Sequence, residues 1–216
     1  MSTVTLVALA LLPFVLLATT SFVKLSIVFS VLRNALGTGQ VPSGAVIGVL
    51  AAILSGFVML PVARDVASAV APYAAKIDLA APWVGESKGA VINSIDRGIE
   101  PWRRFLDRNA GKSERALFVD LLRRALPESE RASVTGAELG VVVPAFFVSE
   151  LAEALQIAFL VLLPFLVVDL VIASILTALG MQAVSPAVVA LPFKLLLFVS
   201  ADGFRALIEA LVAGYR

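Results

Sequence analysis

The chain has 216 residues, 60% of them hydrophobic, with a mean hydropathy of +0.98 and a net charge of +1. Soluble domains carry roughly 45–50% apolar residues, so this is the composition of a membrane-type protein. The near-neutral charge gives no footprint for nucleic acid. The lack of cysteine and histidine excludes disulfides, thiolate nucleophiles, Cys/His zinc sites and imidazole catalysis, and no metal or cofactor is expected.

Thr3 to Leu32 is apolar apart from Lys24, which exceeds the about 20 residues needed for a span. A secretory signal opens with a positively charged stretch, whereas the first charged side chain here is Lys24, so this segment is expected to be retained. Arg33 to Pro42 is a connector, broken by Gly37, Gly39 and Pro42. Ala45 to Val62 is a second uncharged apolar run, expected to close at Pro61, and the two runs read as a helical hairpin over residues 1–63.

Residues 64–140 form a polar insert, holding 12 of the 17 basic and 11 of the 16 acidic residues. Within it, Ser113 to Leu126 predicts an amphipathic helix: Ser113 as cap, Glu114 in the first turn, Leu117, Leu121 and Ala125 along one face, and Pro127 as the stop. Trp102, Phe105 and Leu106 are expected to begin another, the two helices covering each other.

The last region, residues 141–216, reads as a second hairpin. An apolar helix runs from Leu139 to about Ala178, a break follows at Gly180 to Pro186, and a second apolar helix runs from Ala187 to about Val212. Pro144, Pro164 and Pro192 are expected to kink these helices. The string Leu-Leu-Pro-Phe at 11–14 and 162–165 has flanks that do not align, and it is not read as a repeat. The predicted fold class is all-α: long kinked hairpins with a small polar helical insert, assembling into a helical oligomer.

Six charges stand in the apolar stretches of the second hairpin: Glu150, Glu153, Asp169, Lys194, Asp202 and Arg205. Each costs roughly 2.5–3.5 kcal/mol at the centre of a membrane helix, so such groups face protein or water and not lipid. Glu150, Glu153 and Gln156 recur every third residue and form one stripe. Asp169 lies a further turn of about 160° around the helix from Glu153 and points to a different neighbour. That geometry suits a helix wedged between partners.

Enzymatic readings fail on their motifs. Gly111-Lys112-Ser113 imitates the end of a phosphate-binding loop, but Leu106 stands where the first glycine is required. Asp169 and Asp202 lack the Gly-x-Gly-Asp context of an intramembrane aspartyl protease, and Gly-x-Ser-x-Gly is absent. A multi-span transporter or proton-conducting protein stays open as an alternative, because proton relays also use intramembrane carboxylates.

Further strings are specific. They are Pro13-Phe14, Thr20-Ser21-Phe22 with Lys24, Leu32-Arg33-Asn34-Ala35-Leu36-Gly37, Gln40-Val41-Pro42 and Phe57-Val58-Met59 with Pro61-Val62. In the second half they are Ser149-Glu150-Leu151, Glu153-Ala154, Gln156-Ile157, Leu163-Pro164-Phe165, Asp169-Leu170, Gly180-Met181, Ser185-Pro186, Leu191-Pro192-Phe193-Lys194-Leu195-Leu196-Leu197-Phe198 and Asp202-Gly203. In these the chain resembles the core export-gate protein of bacterial type III secretion systems, the R component of injectisomes, related to the flagellar P protein. The short uncharged amino terminus tilts the resemblance toward an injectisome. Two departures are Gly39 before Gln40 and Phe204 after Asp202-Gly203, where the family commonly has Gln and Trp.

The resemblance implies a non-catalytic assembly part in the bacterial inner membrane, projecting toward the periplasm once assembled, with the polar insert on the periplasmic side. Its implied partners are further copies of itself, typically five, S-type and T-type export subunits, and unfolded secreted proteins as cargo, with no nucleic acid. It implies a gate loop over residues 180–186, where the family carries a methionine run. Only Met181 matches that run, so Gln182, Ala183 and Val184 are expected to share the constriction. Lys24, Glu150, Glu153, Asp169, Lys194 and Asp202 are the expected inter-helix or inter-subunit charged contacts.

Overall fold

Lys24, Leu25, Val28, Phe29 and Leu32 recur at helical spacing, and they form the buried stripe of the first long helix, α1 (Phe22–Leu36). The computed structural model describes residues 10, 13–39, 41–78 and 83–215. Residues 3–9 and 11–12 of the first apolar run, Gln40 of the connector, residues 79–82 of the insert and Arg216 lie outside the described residues. Among the described residues all regular structure is helical. After α1 come α2 (Gly44–Ala74), α3 (Gly85–Asn109), α4 (Lys112–Ala125), the single turn α5 (Glu128–Arg131), α6 (Leu139–Ala178), α7 (Pro186–Ser200) and α8 (Gly203–Ala213). Both α2 and α6 are long and apolar enough to cross a membrane. The pair α7 and α8, bent by 60° at a short break, makes a third candidate if counted as one span.

The chain divides into two compact units, whose boundaries fall just before α1, within α2 and within α6. One comprises residues 20–55 and 150–216. Its core sets Leu25, Val28, Phe29 and Leu32 of α1 with Ile47 and Ala51 of α2, Ala154 and Phe165 of α6, Phe198 of α7, and Leu207 and Leu211 of α8. Ala51 and Ala154 are fully buried, and small residues of this kind let helix backbones approach closely. A hydrogen bond from Ser21 Oγ to Ser55 Oγ at 3.1 Å links the start of α1 to α2.

The other unit comprises residues up to 19 together with 56–149. Phe105 of α3 and Phe146 of α6 pack with ring centroids 5.7 Å apart, beside fully buried Leu106, Val141, Val142 and Ala145. Arg115 bridges to Asp107 at 2.5 Å, and Arg123 and Arg103 donate to the carbonyls of Val134 and Ala137. The basic side chains thus tie down the segment leading into α6.

Several expectations are corrected here. The second apolar helix does not close at Pro61: α2 continues to Ala74 with Pro61 and Pro72 inside it, because each proline removes only one ladder donor of a 31-residue helix. Trp102, Phe105 and Leu106 end α3 instead of beginning a helix. Ser113 is not the cap of α4. Gly111 takes that place in an extended conformation, its N–H held by Ser149 Oγ at 2.8 Å, while the Ser113 hydroxyl donates to Glu114 Oε2 at 2.7 Å. Nor do the insert helices cover one another's apolar stripe, since α4 has no buried residue and Leu117 and Leu121 remain exposed. Finally, the apolar run from 187 to 212 is two helices, turned at Ala201 and Asp202.

Candidate functional site: buried charges and the interhelical loop

Helical spacing places Lys24 on the buried face of α1, where a lone ammonium in apolar surroundings is expensive. The structure surrounds it with acceptors. Lys24 Nζ lies 2.9 Å from Glu150 Oε1 and 2.7 Å from Glu153 Oε2, both on α6, and 4.2 Å from the centroid of the Tyr215 ring. The Tyr215 hydroxyl donates to the second Glu150 oxygen. Lys24 and Glu150 are withdrawn from solvent, at 3% and 2% side-chain exposure, whereas Glu153 is 52% exposed. Burial first, and then the Glu150 charge, pushes the Tyr215 phenol above its ordinary value, so it remains a donor at neutral pH.

The second charge pair joins α6 to α7. Lys194 Nζ donates to Asp169 Oδ2 at 2.6 Å and to the Ala35 carbonyl oxygen at 2.9 Å. Ala35 belongs to the last turn of α1, where carbonyls lack intrahelical partners and the helix dipole favours a cation. One ammonium therefore ties α7 to α6 and completes the C-terminal turn of α1. Asp169 Oδ1 is buried with no hydrogen-bond partner among the described residues, so this carboxylate is satisfied on one side only.

The loop between α6 and α7 is closed at both ends by local chemistry. Gly180 sits at φ +69°, its N–H bonds the Thr177 carbonyl at 3.0 Å, and the Met181 N–H reaches back to the Leu176 carbonyl at 2.9 Å. This Schellman arrangement stops α6. Ser185 precedes α7 and Pro186 is its first residue, a position where a missing N–H costs nothing. Between these stops Met181, Gln182 and Ala183 are exposed and Val184 is partly so.

Asp202 stands apart from the other charges. It is exposed, has no ion pair among the described residues, and takes a left-handed backbone, φ 49° and ψ 41°, at the turn between α7 and α8. Next to it, a Cβ on Gly203 would lie 2.4 Å from the Phe198 ring, so only glycine admits this approach. Phe198 in turn packs edge-on against Phe204 with centroids 4.8 Å apart. Arg205 pairs with Glu209 on the exposed side of α8. Gln156 of the polar stripe is exposed.

Five of the six anticipated charges thus come together in two clusters, and Asp169 meets a different neighbour from Glu150 and Glu153. Sequence reasoning missed Tyr215, a lone tyrosine beyond the last apolar run with no spacing signal. It also missed Ser149, whose hydroxyl donates to the Ala145 carbonyl and accepts from Gly111. Among the described residues no cluster of three carboxylates suits a metal ion. These groups can fix the register of helices and hold charge out of lipid.

An all-helical, membrane-type protein whose apolar helices are joined by ion pairs on two buried lysines is the class that this fold and these contacts define. The chain belongs to the FliP family, which it matches over residues 5–211. It is 42% identical over 208 residues to "Yop proteins translocation protein R" of Yersinia pestis, covering 96% of this chain and 92% of that protein. To "Hypersensitivity response secretion protein HrcR" of Ralstonia nicotianae it is 41% identical over 210 residues, covering 97% and 94%. To "Flagellar biosynthetic protein FliP" of Pectobacterium carotovorum it is 40% identical over 216 residues, covering 98% and 77%.

Proposed function

We propose that this chain is a non-catalytic subunit of a type III secretion export gate, through which unfolded proteins leave the cytoplasm. The observation that carries the reading is similarity over nearly its whole length to proteins named for translocation and secretion, together with membership of the FliP family. In this reading several copies of the chain, together with S-type and T-type subunits, enclose a channel in the bacterial inner membrane. The polar insert, residues 64–140, stands on the periplasmic side and the assembled complex projects toward the periplasm. The exposed loop of Met181, Gln182, Ala183 and Val184 lines the constriction, where a flexible thioether adapts to passing chains of varied shape. The Lys24 and Lys194 clusters hold the helices that frame this loop.

Two measurements test the reading. The intact complex purified in mild detergent is expected to have the mass of several copies with partner subunits, and a strain lacking its own R-type subunit is expected to regain secretion when supplied with this chain. A monomer that conducts protons, with no restored secretion, would overturn it in favour of a transporter. Replacing Met181 by glycine is expected to let small solutes leak through the gate while secretion continues. An unchanged permeability barrier would remove Met181 from the constriction.

A further inference from the structure

We infer that Tyr215 is a positioning residue that latches the segment after α8 onto the Lys24 and Glu150 pair, and so seats α8 and the α7–α8 joint. The inference rests on the export-gate reading only for its effect on secretion.

The geometry is specific to a tyrosine. Glu150 offers two oxygens, and Lys24 engages Oε1. The Tyr215 hydroxyl supplies the donor for Oε2. The ring itself lies over the Lys24 ammonium, 4.2 Å from it at the centroid. One side chain therefore meets both members of a buried ion pair, and it adds no charge. Phenylalanine keeps the ring and loses the donor. A carboxylate at this place adds a third negative charge beside a single ammonium.

The position in the chain gives the contact its leverage. Tyr215 follows α8 by two residues, and its N–H bonds the Val212 carbonyl at 3.2 Å, so the backbone carries the helical turn outward to the ring. Among the buried residues of α8 are Leu207 and Leu211, while Arg205 and Glu209 pair on its exposed side. At its other end α8 hangs on the Asp202 and Gly203 turn, where the backbone is left-handed and the Phe198 ring abuts the glycine. A short helix hinged at one end is held by its buried face and by what binds its other end: Leu207 and Leu211 pack in the core, and Tyr215 adds the contact beyond the last turn. Beyond the hinge, α7 carries Lys194 and leads back to the loop at Met181.

The chain has no cysteine, so a single engineered one reports on α8. Leu211 is 1% exposed, and Leu211→Cys should react slowly with a maleimide in the purified, detergent-solubilised protein. In that background Tyr215→Ala is expected to raise the labelling rate by about tenfold or more, the loss of a hydrogen bond to a charged group. Tyr215→Phe, which keeps the ring, is expected to fall between the two. Adding Glu150→Gln to Tyr215→Phe should raise the rate by less than the two single changes combined, because both act on one bond. Labelling of Tyr215→Ala and Tyr215→Phe within about twofold of the parent would overturn the latch. If the labelling rises but secretion in cells stays at the parental level, α8 is seated by Tyr215 without consequence for the gate, and the link from the latch to secretion is overturned. Parental secretion absent altogether would instead defeat the export-gate reading, leaving the labelling result to decide the latch by itself.

Discussion

Lys24 on α1 and Glu150 on α6 meet at 2.9 Å with both side chains withdrawn from solvent. Removing one member of such a pair leaves the other charge buried and uncompensated, at a cost of about 3–5 kcal/mol. Lys24→Met is therefore expected to lose most of its folded population in a denaturant titration of the detergent-solubilised protein. Glu153 contacts the same ammonium but is half-exposed, so Glu153→Gln should cost no more than about 1 kcal/mol. Equal effects of the two changes would show that burial does not set the hierarchy within this cluster.

The Lys194 pair invites a charge reversal. Lys194→Glu places a carboxylate against Asp169 and against the Ala35 carbonyl, both of which repel it. We expect loss of folded protein on a gel-filtration profile, with partial recovery when Asp169→Lys is added. Recovery should stay incomplete, because the restored pair leaves the α1 carbonyl without its ammonium donor. Full tolerance of Lys194→Glu alone would mean that the pair does not hold α7.

Two glycines separate steric crowding from backbone strain. At Gly203 an added Cβ meets the Phe198 ring at 2.4 Å and its carbonyl oxygen at 2.9 Å, so Gly203→Ala should cost about 1–3 kcal/mol by overpacking. At Gly180 nothing lies within 4 Å of a Cβ, but φ is +69°, so Gly180→Ala should cost only the left-handed penalty of about 1–2 kcal/mol. Adding Phe198→Ala should relieve the crowding at Gly203 and leave the Gly180 effect unchanged. A thermal-unfolding series of the two glycine variants, Phe198→Ala alone and the two double variants checks this, and relief at Gly180 would contradict the account.

The phenol of Tyr215 sets a pH window. Its value is raised in the folded protein, first by burial and then by Glu150, relative to an ordinary value of about 10. A raised acid favours its protonated form in the folded state, so the contribution is fully present below about pH 10 and is lost as pH rises beyond it. Stability relative to Tyr215→Phe should thus be flat through the neutral range and converge only in strong alkali. A difference that stays flat through about pH 10 and beyond would show an ordinary, solvated phenol.

The sequence signals that survived folding are those with a local cause. The break at residues 180–186 was legible because a glycine able to take positive φ precedes a proline suited to a helix start. The charged positions were legible because apolar stretches penalise charge wherever the chain goes. Periodicity assigns faces and not distances, which is why Lys194 could be marked but not joined to Asp169 and Ala35. The turn at Ala201 and Asp202 was hidden although Asp202-Gly203 is a turn dipeptide, because the apolar residues on both sides read as one continuous helix; the glycine there answers to the Phe198 ring five residues earlier in α7. Pro61 misled for the opposite reason: a local breaker was overridden within a long helix.

In α6, only 11% of the most apolar stretch is buried within the chain. Leu160, Val167, Leu170 and Val171 all face outward. Lipid tails cover such a surface about as well as leucine does, so little free energy distinguishes a copy in bilayer from a copy against another helix. What an unfolding experiment reads for this chain will accordingly follow the detergent, the lipid and the concentration of whatever can bind it. The isolated polypeptide has no single stability to quote, and in a cell a copy made without its surroundings presents the same surface to chaperones and proteases.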